Sequence, residues 1–196
     1  MREVELKGIV DDLDAARAAV LAAGATRMYV GRLEDKRYDT PDRALALRDH
    51  VLRLRVYRAG ETRAMLDWKG PTTYVDGYKV REEHSTTLGN GDELAVMLDR
   101  LGYVVTREID REIEQYVLFG ATVRFERYPR LDILVEVEGE PHAIERAITA
   151  LGIARDRFTT QRLPDYVRAY EARTGQRAAI CDRELTGDYR FSATDA

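Results

Sequence analysis

The first seven residues already limit the fold. Glu3-Val4-Glu5-Leu6-Lys7 alternates charged and apolar side chains with a period of two. On a strand, Glu3, Glu5 and Lys7 share one face, with roughly 7 Å between successive members, and Val4 and Leu6 share the other. On a helix, residues two apart do not face each other, so the charged set would scatter. The same texture returns near the other end of the chain, where Glu136 and Glu138 alternate with Val135 and Val137. The middle carries the opposite sign. Arg53 and Arg55 alternate with Leu52, Leu54 and Val56; Asp67 and Lys69 share a face, as do Lys79, Arg81 and Glu83. This pattern predicts a sheet with an apolar side buried under helices and a charged second surface.

A solvent-facing side of an antiparallel sheet is also polar. Such faces usually mix Thr, Ser, Gln and Lys, whereas here paired Glu at both ends flank paired Arg and Lys. Closing the sheet into a barrel would turn the charged surface into a lumen. Carboxylates there suit a hard cation such as Mg²⁺ or Mn²⁺, which completes its shell with water and phosphate. The planar forks of arginine suit phosphate oxygens. Like charges crowded into one lumen repel unless a metal and a polyphosphate compensate them. That imbalance implies the ligand.

The remaining sequence fits this scheme. The chain has 196 residues, 44% hydrophobic and 34% charged, enough for one domain with a buried core. A net charge of −4, from 31 basic and 35 acidic residues, argues against extended nucleic-acid contacts. The apolar stretch 15–25 is too short to span a bilayer, so no membrane partner is expected. A lone cysteine, Cys181, excludes an internal disulfide and fits a reducing cytoplasm. His50, His84 and His142 lack metal-site spacing. Helical periodicity predicts helices over 12–23, 92–101, 143–151 and about 164–174, ending at Gly24, Gly102, Gly152 and Gly175. Strands are expected over 2–10, 33–38, 51–58, 63–69, 77–86, 104–118, 121–127 and 131–139. Trp68 reads as core, and Tyr29, Tyr38, Tyr57 and Tyr74 as packing groups. Arg157 and Arg162 are within reach of a lumen mouth but read first as solvated surface residues. The polar stretch 176–196 reads as a loosely held extension beyond a domain spanning 1–175.

Taken in order, these segments resemble the CYTH domain, or triphosphate tunnel metalloenzyme, superfamily. Its ExExK motif stands here as Glu3-Val4-Glu5-Leu6-Lys7, and 38–41, 52–55, 68–71, 77–83 and 129–139 resemble family strands in family order. The resemblance implies an α+β fold: an eight-stranded antiparallel β-barrel, the triphosphate tunnel, with helices packed outside. It implies a divalent metal, Mg²⁺ or Mn²⁺, held by Glu3, Glu5, Glu136 and Glu138. It places triphosphate on Lys7, Arg53, Arg55, Lys69, Lys79, Arg81 and Arg111, with Glu3, Glu5 and Lys7 as the catalytic set. Three departures stand out: Ile113 where a further basic residue is usual, Glu126 where Asp is usual, and Asp67 where Thr is common.

Within the superfamily, Trp68-Lys69-Gly70-Pro71 and 77–83 look most like the class IV adenylate cyclase branch. The expected reaction converts ATP to cyclic AMP and pyrophosphate. The alternative is hydrolysis of inorganic triphosphate, thiamine triphosphate or a nucleoside triphosphate. A third reading, from a different class, is a non-catalytic module that binds triphosphate or triphosphate-ended RNA. The reading allows a homodimer.

Overall fold

The computed structural model describes residues 2–188. Among them are nine strands: β1 (Arg2–Ile9), β2 (Thr26–Asp39), β3 (Val51–Ala59), β4 (Glu61–Lys69), β5 (Thr73–Val75), β6 (Tyr78–Leu88), β7 (Val104–Leu118), β8 (Ala121–Arg127) and β9 (Leu134–Glu138). Five α-helices accompany them: α1 (Leu13–Ala22), α2 (Gly91–Arg100), α3 (Pro141–Leu151), α4 (Leu163–Thr174) and α5 (Asp182–Thr186).

All the pairings are antiparallel, in the order β1-β9-β8-β7-β2-β3-β4-β6-β5, and a further β1–β6 pairing joins the two ends. Strand β6 makes this closure. Its residues 83–88 run along β4, while 79–82 run along β1. After β4 the chain breaks at Gly70-Pro71, where proline supplies no N–H to a ladder. Strand β5 then resumes beside β6, Thr73 opposite Val80. Counted as one interrupted wall, β4 and β5 leave the expected eight-walled ring.

The apolar faces point outward under the helices. Val4, Leu6, Val123, Phe125, Val135 and Val137 join Ala16 and Val20 of α1 and Ala143, Ile144, Ala147 and Ile148 of α3 in the largest core. Each of the larger side chains contributes about 1.5–3 kcal/mol by leaving water. A smaller core sets Leu98 of α2 on Leu54 and Ala64. The helices start where their sequences allow. Asp12 accepts from the N–H of Ala15, and Asn90 from those of Asp92 and Glu93. The four glycines expected to end helices all have positive φ.

Several expectations need correction. Strand β2 begins at Thr26 rather than 33, because β7 extends it through a bulge between Arg27 and Tyr29. Strand β5 and helix α5 carry too few residues to show a period. The segment after Gly175 is not loosely held. Ala178, Ala179, Ile180 and Cys181 are buried; Ala179 bridges to Arg130, and the Asp110 N–H donates to the Ile180 carbonyl. A short apolar run inside a polar tail accounts for that anchoring. The remainder of the expected extension, 189–196, lies outside the described residues. Trp68 is only half-buried, outside the core clusters, with its ring centroid 5.1 Å from that of His50 and 5.8 Å from that of His84. Tyr74 is exposed rather than packed. Among the described residues, no helix is long and apolar enough to cross a membrane.

Candidate functional site

Strand register gathers the inward charges. Glu3 lies opposite Arg81 and Glu5 opposite Lys79 on the β1–β6 ladder. On the β1–β9 ladder Glu5 faces Glu138 and Lys7 faces Glu136. Arg53 sits between Arg37 of β2 and Asp67 of β4. The ring encloses a cavity of about 130 Å³ whose walls include Glu5, Lys7, Arg53, Arg55, Lys69, Lys79, Arg81, Arg111 and Glu136. Glu3 and Glu138 do not line it; Glu3 reaches it through Lys69.

One sector is acidic. Lys69 Nζ lies 2.5 Å from Glu3 Oε1 and 3.1 Å from Glu83 Oε2. Lys79 pairs with Glu5, and Lys7 with Glu136 at 2.8 Å. These lysines leave negative charge uncompensated. Glu3 Oε2 is buried with no hydrogen-bond partner. Burial, with repulsion from Glu3 and Glu136, pushes the Glu138 carboxyl up to about 7. Among the described residues no three carboxylate, imidazole or thiol groups are grouped as a metal site. Glu3 and Glu5 each hold a lysine instead. The donor set nevertheless fits a hard divalent cation: oxygen ligands only, one orphaned, and one carboxyl that a nearby positive charge would ionise.

A second sector is neutralised within the protein. Asp35 accepts from Arg55 Nε and Nη2 at 2.8 and 3.1 Å and from Arg111 Nη1 at 3.1 Å. Arg111 Nε also donates to Glu126 Oε1 at 3.0 Å. Glu126 further accepts from Arg124 and from the Tyr128 hydroxyl, and Arg124 pairs with Glu136. Burial pushes the Asp35 carboxyl up, but Arg55, Arg111 and Arg53 outweigh it and hold it well below the usual range. In the same way Lys7, Arg111 and Arg124 overcome burial and bring Glu126 to about 2. Asp67, which stands where Thr is common and shares a face with Lys69, accepts from Arg53 at 3.0 and 2.6 Å.

The ends of the lumen differ. At one, Leu33, Tyr57 and Ile113 are buried together, with Tyr29 and Met65 packed against them. Ile113 therefore stands in an apolar plug. Towards the other end, Arg81 Nε donates to the Gly70 carbonyl at 2.7 Å and Nη2 to the Asp49 carbonyl at 2.5 Å. Arg162 is not merely a solvated surface residue: it lines the cavity and binds Asp49 through two 3.0 Å hydrogen bonds. Arg157 pairs with Asp11 away from the cavity walls.

Sequence reasoning missed Asp35, Arg37, Arg107 and Arg124 as lumen residues. Arg124 was detectable, since Val123-Arg124-Phe125-Glu126 has the same alternation as β1. The others were hidden because Glu34-Asp35-Lys36-Arg37 and Arg107-Glu108-Ile109-Asp110 carry charge on both faces.

Solved structures share this fold. A protein from Vibrio parahaemolyticus whose name proposes an adenylate cyclase superposes with a TM-score of 0.73 at 19% identity, covering 85% of this chain and 97% of its own. A Pyrococcus horikoshii protein gives 0.69 at 25% identity, covering 89% and 99%. A Hippeastrum protein described as revealing a dominant triphosphatase activity gives 0.59 at 16%, covering 89% and 96%. Comparison with curated proteins gives no match. The CYTH domain model matches residues 1–154, most of the chain and all nine strands. The chain belongs to the CYTH domain family.

Proposed function

We propose that this chain is a metal-dependent enzyme that takes a nucleoside triphosphate into the ring and converts ATP to cyclic AMP and pyrophosphate. The observation that carries the reading is the pair of opposite charge imbalances around one lumen: an orphaned carboxylate oxygen on Glu3, behind the lining Lys69, and a buried guanidinium nitrogen without an acceptor on Arg37 in the wall. A cation and a polyanion together relieve both.

Glu3, Glu5, Glu136 and Glu138 would hold the cation, Mg²⁺ or Mn²⁺. When bound, a divalent ion supplies Lewis-acid polarisation of phosphoryl oxygens and neutralises charge on the leaving group. With their negative charge compensated, Glu3 and Glu5 would no longer hold Lys69 and Lys79 in the ion pairs described above. Those ammonium groups, with Lys7, Arg53 and Arg81, would orient the phosphate chain and stabilise the pyrophosphate as it departs. The ribose 3′-hydroxyl attacks the α-phosphorus in line. Arg55 and Arg111 are held by Asp35 and Glu126, so their main contribution is to keep this wall rigid.

The wall near Arg162 favours a nucleoside over inorganic triphosphate. Ala46, Val51, Leu52, Leu163 and Pro164 line the same cavity, and a base and ribose can cover such apolar surface while a bare polyphosphate cannot. Hydrolysis is the second reading, supported by the triphosphatase activity named for the Hippeastrum protein. Separate reactions with ATP, inorganic triphosphate and thiamine triphosphate, each with Mg²⁺ or Mn²⁺, discriminate the readings. Cyclic AMP with pyrophosphate is expected. Orthophosphate release instead means hydrolysis, and binding without product means a recognition module. Glu136→Gln should remove metal-dependent turnover while the circular dichroism spectrum stays that of the wild type.

A further inference from the structure

Strand register puts three arginines abreast. Arg37 of β2 lies opposite Arg53 of β3 on one side and opposite Arg107 of β7 on the other. All three line the cavity. Directly opposed like charges on neighbouring strands destabilise a sheet. The arginines deeper in the lumen avoid that cost through Asp35 and Glu126, and Arg53 avoids it through Asp67. Arg37 differs. Among the described residues no carboxylate lies within ion-pair distance of its guanidinium, and its Nε is buried with no acceptor. Burial and the nearby charges of Arg53, Arg81 and Arg111 lower its pKa to about 10 despite the opposing effect of Asp35. The Nε of this half-buried guanidinium loses its hydration without gaining an acceptor.

We propose that Arg37 is a specificity-determining residue for the ligand: it receives a phosphoryl group of the triphosphate on the side of the lumen where Asp49 and Arg81 meet. A tetrahedral oxyanion answers the geometry, because two of its oxygens match one guanidinium fork while the others reach Arg53 or Arg81. A triphosphate offers phosphoryl groups to Arg37 and to the lysines beside Glu3 and Glu5, all of which line the one cavity, so Arg37 selects for chain length. The inference rests on the triphosphate reading above.

The test compares wild type with Arg37→Gln and Arg37→Lys in buffer containing Mg²⁺. Calorimetric titration uses inorganic triphosphate, pyrophosphate and orthophosphate, and melting is followed with and without triphosphate. Arg37→Gln should melt above wild type without ligand, since a positive charge flanked by Arg53 and Arg107, with its Nε lacking an acceptor, is gone. Its affinity for triphosphate should fall roughly tenfold to a hundredfold, and its affinity for orthophosphate much less. Arg37→Lys keeps the charge and loses the fork, so it should bind triphosphate with intermediate affinity and remains informative if the glutamine variant fails to fold. Wild-type affinity for triphosphate in both variants, or equal losses for all three anions, overturns the assignment. A ligand-free melting temperature lowered by Arg37→Gln also overturns it, by making Arg37 structural. Failure of the wild type itself to bind triphosphate overturns the triphosphate reading instead.

Discussion

The acidic sector around Glu3 and Glu138 and the network around Asp35 and Glu126 use the same residue types in the same ring, with opposite results. In the network every carboxylate meets a guanidinium or ammonium group, so Glu126 falls to about 2. In the acidic sector carboxylates meet each other, and Glu138 rises to about 7. The Arg37 side repeats the second situation with the sign reversed, its pKa lowered to about 10 by burial and neighbouring arginines. Folding therefore satisfies its charges in one part of the lumen and leaves them unsatisfied in two others. The satisfied part serves stability; the unsatisfied parts are where a ligand gains most.

The strongest way to break this contrast is to unbalance the network. Asp35→Ala leaves Arg55 and Arg111 buried beside one fewer counter-ion, and should cost about 3–5 kcal/mol in urea denaturation. Acid should act on the same groups. Their folded pKa values lie below the ordinary carboxylate range, so the stability they contribute is complete above about pH 4.5. It is lost as pH falls through the folded values, near 2 for Glu126. Denaturation midpoints measured from pH 6 down to 2 check this. Glu138→Gln should act in the opposite direction. The folded carboxyl binds its proton more tightly than the unfolded one, so ligand-free stability falls as pH rises from about 4.5 to 7. The variant should recover about 2–3 kcal/mol at pH 8 and little at pH 4. Melting without divalent cation at both pH values tests it, and added Mg²⁺ or Mn²⁺ should narrow the gap at pH 8. The smallest effect belongs to Arg162→Ala. Its pair with Asp49 is partly exposed, so the loss should be about 0.5 kcal/mol in thermal denaturation.

Much of the ring was legible because its strands alternate. Where one face is charged and the other apolar, as in β1, β3 and β9, period, orientation and chemistry can all be read from five residues. The reading failed where both faces were charged. Asp35 and Arg37 face the lumen while Lys36 is exposed, and no composition rule separates them. It failed again at the C-terminal segment, where Ala178 to Cys181 form a run too short to show a period yet are buried.

The sequence by itself determined which residues could share a face, since a two-residue period follows from backbone geometry alone. It thereby supplied the acidic pairs at both ends and the basic set between them. Only the tertiary structure decided which charges neutralise one another. Strand register across the closed ring brings Asp35 to Arg55 and Arg111 across long stretches of chain, and leaves Glu138 facing Glu5 and Arg37 flanked by arginines. Pairing energy depends on distance and burial, and both are fixed by how the ring closes.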